Sequence, residues 1–118
     1  MDFERILTEL LDTIEGSLGA ILMGYDGLPI EAVNRSKILD LPFISAEMTP
    51  LLRKAQGVSS RLGRGGVKGL FVFLEMANLS FWDIGGGCYL GLAVSPEVPR
   101  GQVGFKTLQF IPRLKAEI

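Results

Sequence analysis

The segment from Leu18 to Ala32, LGAILMGYDGLPIEA, constrains this chain more than any other. Two apolar runs flank Asp26-Gly27, and an Asp-Gly pair so placed is the strongest short-range hairpin signal, because a type I′ turn needs positive φ at both central residues. In the first run both alternating sets are apolar, with Leu18, Ala20 and Leu22 on one face and Ile21 and Met23 on the other. A strand that is apolar on both faces belongs in the middle of a sheet covered by helices on both sides. The second run differs. Pro29 has no ladder donor, and Glu31 points away from Ile30 and Ala32, which predicts an edge strand.

The flanking sequence extends the pattern. Phe3, Ile6, Leu7, Leu10, Leu11 and Ile14 recur at helical spacing, with Asp2 placed to cap the helix and Gly16 to end it. Residues 34–44 read as a connector. Met48, Leu51, Leu52, Ala55, Val58 and Leu62 predict a second helix ending on Gly63. Its start falls either at Thr49-Pro50, as cap and first turn, or at Ser45, in which case Pro50 lies inside and costs a hydrogen bond.

Gly69–Glu75, Leu79–Ile84 and Cys88–Val94 follow as three strands, the last two joined by a turn at Gly85–Gly87. Strands separated by so few residues can only pair antiparallel. After Pro96, Pro99 and Gly101, the apolar positions from Val103 to Ile118 predict a closing helix that Pro112 kinks or interrupts. The order is α-β-β-α-β-β-β-α, an α+β architecture in a single domain, residues 1–118.

The chain contains no histidine and one cysteine, Cys88. This excludes Ser-His-Asp and Cys-His sites, Cys/His zinc sets and an internal disulfide. Gly63–Gly69 lacks the Gly-Lys-Ser/Thr ending of a phosphate loop, and it follows a helix where such a loop precedes one. Asp26 is accounted for by its turn, Asp83 by a solvated strand face, and Cys88 by a small inert position near the core. No enzyme active site, metal site or cofactor site is expected. With 12 Lys+Arg against 13 Asp+Glu, nothing resembles a nucleic-acid footprint, and Arg61, Arg64 and Lys68 read as a solvated connector.

The N-terminus, Asp2-Phe3-Glu4-Arg5, does not read as a cleavable signal, and no run approaches the ~18 uncharged apolar residues of a spanning helix. The expectation is a cytoplasmic protein without membrane insertion. Counting the 15 glycines and leaving out tyrosine, the apolar share is roughly 58%, against about 45–50% in an average soluble domain. Such a small domain carries more apolar surface than its own core hides, which predicts a permanent partner, most simply a second copy.

A helix leading into Gly19-Ala20 through Ala32, together with the later strand Tyr89-Leu90-Gly91-Leu92-Ala93-Val94, resembles the Roadblock/LC7 family and its bacterial MglB-like branch. The resemblance implies a five-stranded antiparallel sheet of order 2-1-5-4-3, with the second helix on one face and the terminal helices on the other. It implies a homodimer formed through the third strand and second helix, with Leu70, Phe71, Val72, Phe73 and Leu74 joined by Leu51 and Ala55, and with Phe71 or Phe73 hidden beneath that helix.

It also implies a Ras-like small GTPase, MglA-like, as partner, whose hydrolysis is stimulated by reshaping and not by a donated catalytic residue. Once Met48, Leu51, Ala55, Val58 and Leu62 are buried, the surface facing the GTPase is Glu47, Arg53, Lys54 and Arg61. Pro50 and Pro112 depart from the family pattern by interrupting two helices. The alternatives are a scaffold or adaptor subunit of a motor or polarity complex that leaves hydrolysis unchanged, and a small-molecule sensor of PAS or profilin-like architecture.

Overall fold

The computed structural model describes residues 2–118 and places eight elements in the expected order. These are α1 (Phe3–Thr13), β1 (Ser17–Gly24), β2 (Pro29–Asn34), α2 (Leu41–Leu62), β3 (Gly69–Phe73), β4 (Asn78–Gly85), β5 (Cys88–Val94) and α3 (Arg100–Ala116). The strands form one antiparallel sheet in the order β2-β1-β5-β4-β3. β1 and β5, the strands apolar on both faces, are central, and β2 with its Pro29 is an edge.

Each face of the sheet carries its own core. On one side Ile6, Leu7, Leu10 and Leu11 of α1 meet Phe110, Ile111 and Leu114 of α3 over Ala20, Leu22, Trp82 and Leu90. On the other, Leu41 and Leu52 of α2 cover Ile21, Met23, Phe81, Tyr89 and Ala93. Each buried Leu, Ile, Met or Phe among them contributes about 1.5–3 kcal/mol, so the layer of α1 and α3 is held chiefly by its apolar stripes. Gly91 leaves room for the side chains of its two cross-strand neighbours: a Cβ there would stand 3.1 Å from the Ile21 Cγ2 and 3.3 Å from the Phe81 ring.

Several local expectations are corrected. The β1–β2 turn is not type I′, because Gly27 has a positive φ of 88° and Asp26 does not. Gly27 N–H donates to the Gly24 carbonyl and Gly24 N–H to the Leu28 carbonyl, the three-residue loop with a glycine bulge. The two-residue turn with both φ values positive lies instead between β4 and β5, at Gly86 (63°) and Gly87 (76°). A bulge between Ser17 and Gly19 turns Leu18 to the α2 face, opposite Ala20 and Leu22. Asp2 does not cap α1 through its side chain, which is drawn to Arg5 at 3.0 Å.

α2 begins earlier than either predicted start. Asp40 caps it by accepting from the Phe43 N–H at 3.1 Å, with Pro42 in the first turn. Pro50 sits inside the helix on its exposed side, and Ala46, whose carbonyl loses the N–H that any other residue at 50 would offer, is an exposed residue too. α3 likewise runs through the exposed Pro112 without ending, so that proline does not terminate the closing helix. β3 stops at Phe73, leaving Leu74 in the hairpin to β4, where its N–H donates to the Ala77 carbonyl.

Candidate interaction surface

The geometry of α2 decides what this face offers. Its buried line is Leu41, Ser45, Thr49 and Leu52, so two hydroxyl residues point into the core. They are met by Tyr89 from β5. The Tyr89 hydroxyl lies 2.8 Å from the Ser45 carbonyl and 2.7 Å from Thr49 Oγ1, which is itself 2.8 Å from the same carbonyl. Two hydroxyl protons serve three close contacts, so two hydrogen bonds exist at any instant and the carbonyl can accept both. Burial pushes the Tyr89 hydroxyl pKa up, and its bonds to Thr49 and Ser45 partly offset this. This cluster fixes α2 one turn ahead of Pro50.

The expected burial of Leu51, Val58 and Leu62 is corrected. They remain 48%, 39% and 67% exposed, and Ala55 is half-buried. The spacing 51, 55, 58, 62 is as helical as that of the core line and more apolar than it, so the apolar pattern pointed to the wrong side of α2. The consequence is an apolar stripe along α2 that its own sheet does not cover.

Beside it lies the open edge of β3, which pairs only with β4. Leu74 N–H donates to Ala77, and the Lys68 carbonyl accepts from Asp83 N–H. By the alternation of an antiparallel ladder, Leu70 and Val72 therefore spend their backbone groups on β4, while Gly69, Phe71 and Phe73 turn N–H and C=O outward. Leu70 and Val72 are half-buried on the α2 face. Phe71 and Phe73 are on the opposite face and cannot lie under α2. Phe71 packs edge-on against Trp82 at 5.5 Å, and Phe73, 57% exposed, stacks on Phe71 with Arg100 beside its ring.

The four residues expected to face a GTPase do not form one strip. Glu47, Lys54 and Arg61 recur every seven residues and share an exposed line of α2. Arg53 lies about a quarter turn away, where its Nε donates to the Tyr25 carbonyl at 2.9 Å. Gln56, which the sequence did not single out, ties α2 to the residue two before β3, accepting from Val67 N–H at 3.0 Å and donating to its carbonyl at 3.2 Å.

The Tyr25 hydroxyl donates to Asp83 at 3.0 Å, giving that carboxylate a structural partner. Burial, and then Asp83, raise the Tyr25 pKa to about 12, against a lowering by Gln56. Burial first, then Asp26 and Asp83, push the Cys88 thiol up, away from reactivity. Among the described residues no three His, Cys, Asp or Glu side chains gather as a metal site, and no helix is long and apolar enough to cross a membrane.

A five-stranded sheet of this order, with one helix on one face and two on the other, is the Roadblock/LC7 fold. A Roadblock/LC7 domain from Streptomyces avermitilis superimposes with a TM-score of 0.86 at 19% identity, over 99% of this chain and 98% of that one. An MglB found in a tetrameric arrangement gives 0.85 at 18% identity, over 96% and 85%. MglC from Myxococcus xanthus gives 0.74 at 24% identity, over 100% of both chains. No family model matches the chain, and no curated protein sequence matches it.

Proposed function

We propose that this chain is a non-enzymatic regulatory module that forms a homodimer through β3 and α2 and binds a Ras-like small GTPase. The observation that carries the reading is the open β3 edge lying beside an uncovered apolar stripe. Unpaired outward N–H and C=O groups at Gly69, Phe71 and Phe73 invite a second strand, and proteins normally blunt or cover such an edge. A two-fold copy of β3 would continue the sheet and bring Leu51, Ala55, Val58 and Leu62 against their counterparts. The self-association of a similarly folded MglB supports this.

The GTPase as partner rests on the fold shared with MglB and MglC and on the Roadblock/LC7-like sequence features. In that role the chain needs no catalytic side chain, because the partner's own residues do the chemistry once its shape is adjusted. The outward line of α2, Glu47, Lys54 and Arg61, with Arg53 on its flank, is the surface proposed to face it, and a cytoplasmic setting is proposed with it.

Two measurements test this. Light scattering should give twice the chain mass at micromolar concentration. Single-turnover GTP hydrolysis by the small GTPase that co-purifies with the chain should accelerate when the chain is added. Binding without acceleration assigns the scaffold role instead, and absence of binding ends the GTPase reading.

A further inference from the structure

Charge is divided unevenly along this chain. Nine acidic and three basic residues precede Leu51, whereas four acidic and nine basic residues follow Pro50. Between Glu47 and Glu75 there is no carboxylate at all, but there are five cations, Arg53, Lys54, Arg61, Arg64 and Lys68. All five are exposed. Among the described residues the ion pairs engage Arg5, Arg35 and Arg113 and none of these five. Arg53 is held by a neutral carbonyl, which leaves its charge uncompensated. A basic residue near a helix C-terminus complements the helix dipole, which accounts for Arg61 and Arg64 but not for Arg53, Lys54 or Lys68.

The fold gathers four of these cations on one side. α2 ends at Gly63 in a left-handed conformation, and Gln56 holds the returning loop against the helix at Val67. Lys54, Arg61, Arg64 and Lys68 therefore lie about the exposed Leu51, Val58 and Leu62 and the open β3 edge, while Arg53 stands on the opposite flank of α2, against Tyr25. The acidic half lies toward the other edge, on α1, β2 and the approach to α2.

We propose that the α2–β3 side is a docking face for an acidic protein surface, and that engaging this surface and pairing through β3 strengthen each other. The coupling rests on the dimer reading above. Two-fold pairing doubles a patch in which Lys54, Arg61, Arg64 and Lys68 outnumber the one carboxylate beside them, Glu47, and the repulsion works against the dimer unless it is screened or bridged. An acidic surface laid across the two-fold relieves it, so each association raises the affinity of the other by the same factor.

An acidic polypeptide surface fits better than a nucleic acid or a membrane. A nucleic acid or an anionic bilayer would also run over the acidic half of a chain whose net charge is −1.

The test is sedimentation of the full chain in about 20 to about 300 mM KCl, spanning Debye lengths from about 20 Å to under 8 Å, with and without poly-L-glutamate. The expected result is a dimer whose dissociation constant falls by about threefold or more as salt rises, and which poly-L-glutamate tightens at low salt. The triple variant Arg61→Gln/Arg64→Gln/Lys68→Gln should lose both responses and remain dimeric. A dimer indifferent to salt and to poly-L-glutamate overturns the docking face and leaves the pairing standing. A monomer at every salt concentration overturns the pairing and the coupling together. Phosphatidylserine vesicles or duplex DNA binding as tightly as poly-L-glutamate overturns the assignment to a protein surface.

Discussion

Gln56 on α2 holds both backbone groups of Val67, its Oε1 accepting from the N–H at 3.0 Å and its Nε2 donating to the carbonyl at 3.2 Å. This one amide sets the spacing between the uncovered helix stripe and the open strand edge. Both would have to meet a second copy simultaneously. Gln56→Ala should leave the two half-buried groups of Val67 unpaired and cost about 1–3 kcal/mol. It should also weaken self-association at constant ionic strength. Urea unfolding and sedimentation measure the two effects, and a wild-type dissociation constant in the variant would show that the spacing does not matter.

The cluster of Tyr89, Thr49 and the Ser45 carbonyl should behave as a unit. Tyr89→Phe and Thr49→Val each remove one hydroxyl and leave the other on the carbonyl, so each should cost about 1 kcal/mol. The double variant should cost more than the sum, because the carbonyl then loses both side-chain donors. A double-mutant cycle by thermal or urea unfolding checks this, and strict additivity would mean that the hydroxyls act independently.

Proline substitutions separate folding from pairing on β3. Val72 faces β4 with its backbone, so Val72→Pro removes a ladder bond within the domain and should destabilise it by about 3 kcal/mol or more. Phe73 turns its N–H outward, so Phe73→Pro should leave the unfolding midpoint close to that of Phe73→Ala while converting the dimer to monomer. A Phe73→Pro variant that still scatters as a dimer would rule out edge-to-edge pairing.

Tyr25 supplies a pH dependence with a definite sign. Its pKa is raised from 10.0 to about 12 in the folded chain, first by burial and then by Asp83. Below pH 10 its hydroxyl is protonated whether or not the chain is folded, and its contribution is intact. As pH rises from 10 towards 12 the unfolded chain loses this proton more readily, so stability falls through that interval. Tyr25→Phe should flatten the alkaline limb of the unfolding midpoint against pH. An unchanged limb would assign the loss to other groups.

Much of this fold could be read from residue order. The two-faced apolar runs of β1 and β5 can be satisfied only at the centre of a sheet, and Pro29 confines β2 to an edge, so local chemistry already specified much of the strand arrangement. The absence of histidine likewise excluded the commonest catalytic sites. The candidate surface was only half legible. Two lines of helical spacing run along α2, and the more apolar of them, Leu51, Ala55, Val58 and Leu62, is the outward one, so local hydrophobicity pointed to the wrong face. Tyr89 reaches across from β5 to the Thr49 hydroxyl and the Ser45 main-chain carbonyl and so holds the inward line of α2 against the sheet, leaving Leu51, Val58 and Leu62 outside.

The same limit applies to β3. Its sequence is apolar at every position from Leu70 to Leu74, so which residues face α2, and which backbone groups remain free, depended on register with β4. The positions of Phe71 and Phe73 followed from that register, and so did the outward hydrogen-bonding groups. Register and helix rotation are set by contacts between residues far apart in the chain. Local sequence therefore determined the elements and most of their order, while the tertiary packing alone decided which surface was left to meet a partner.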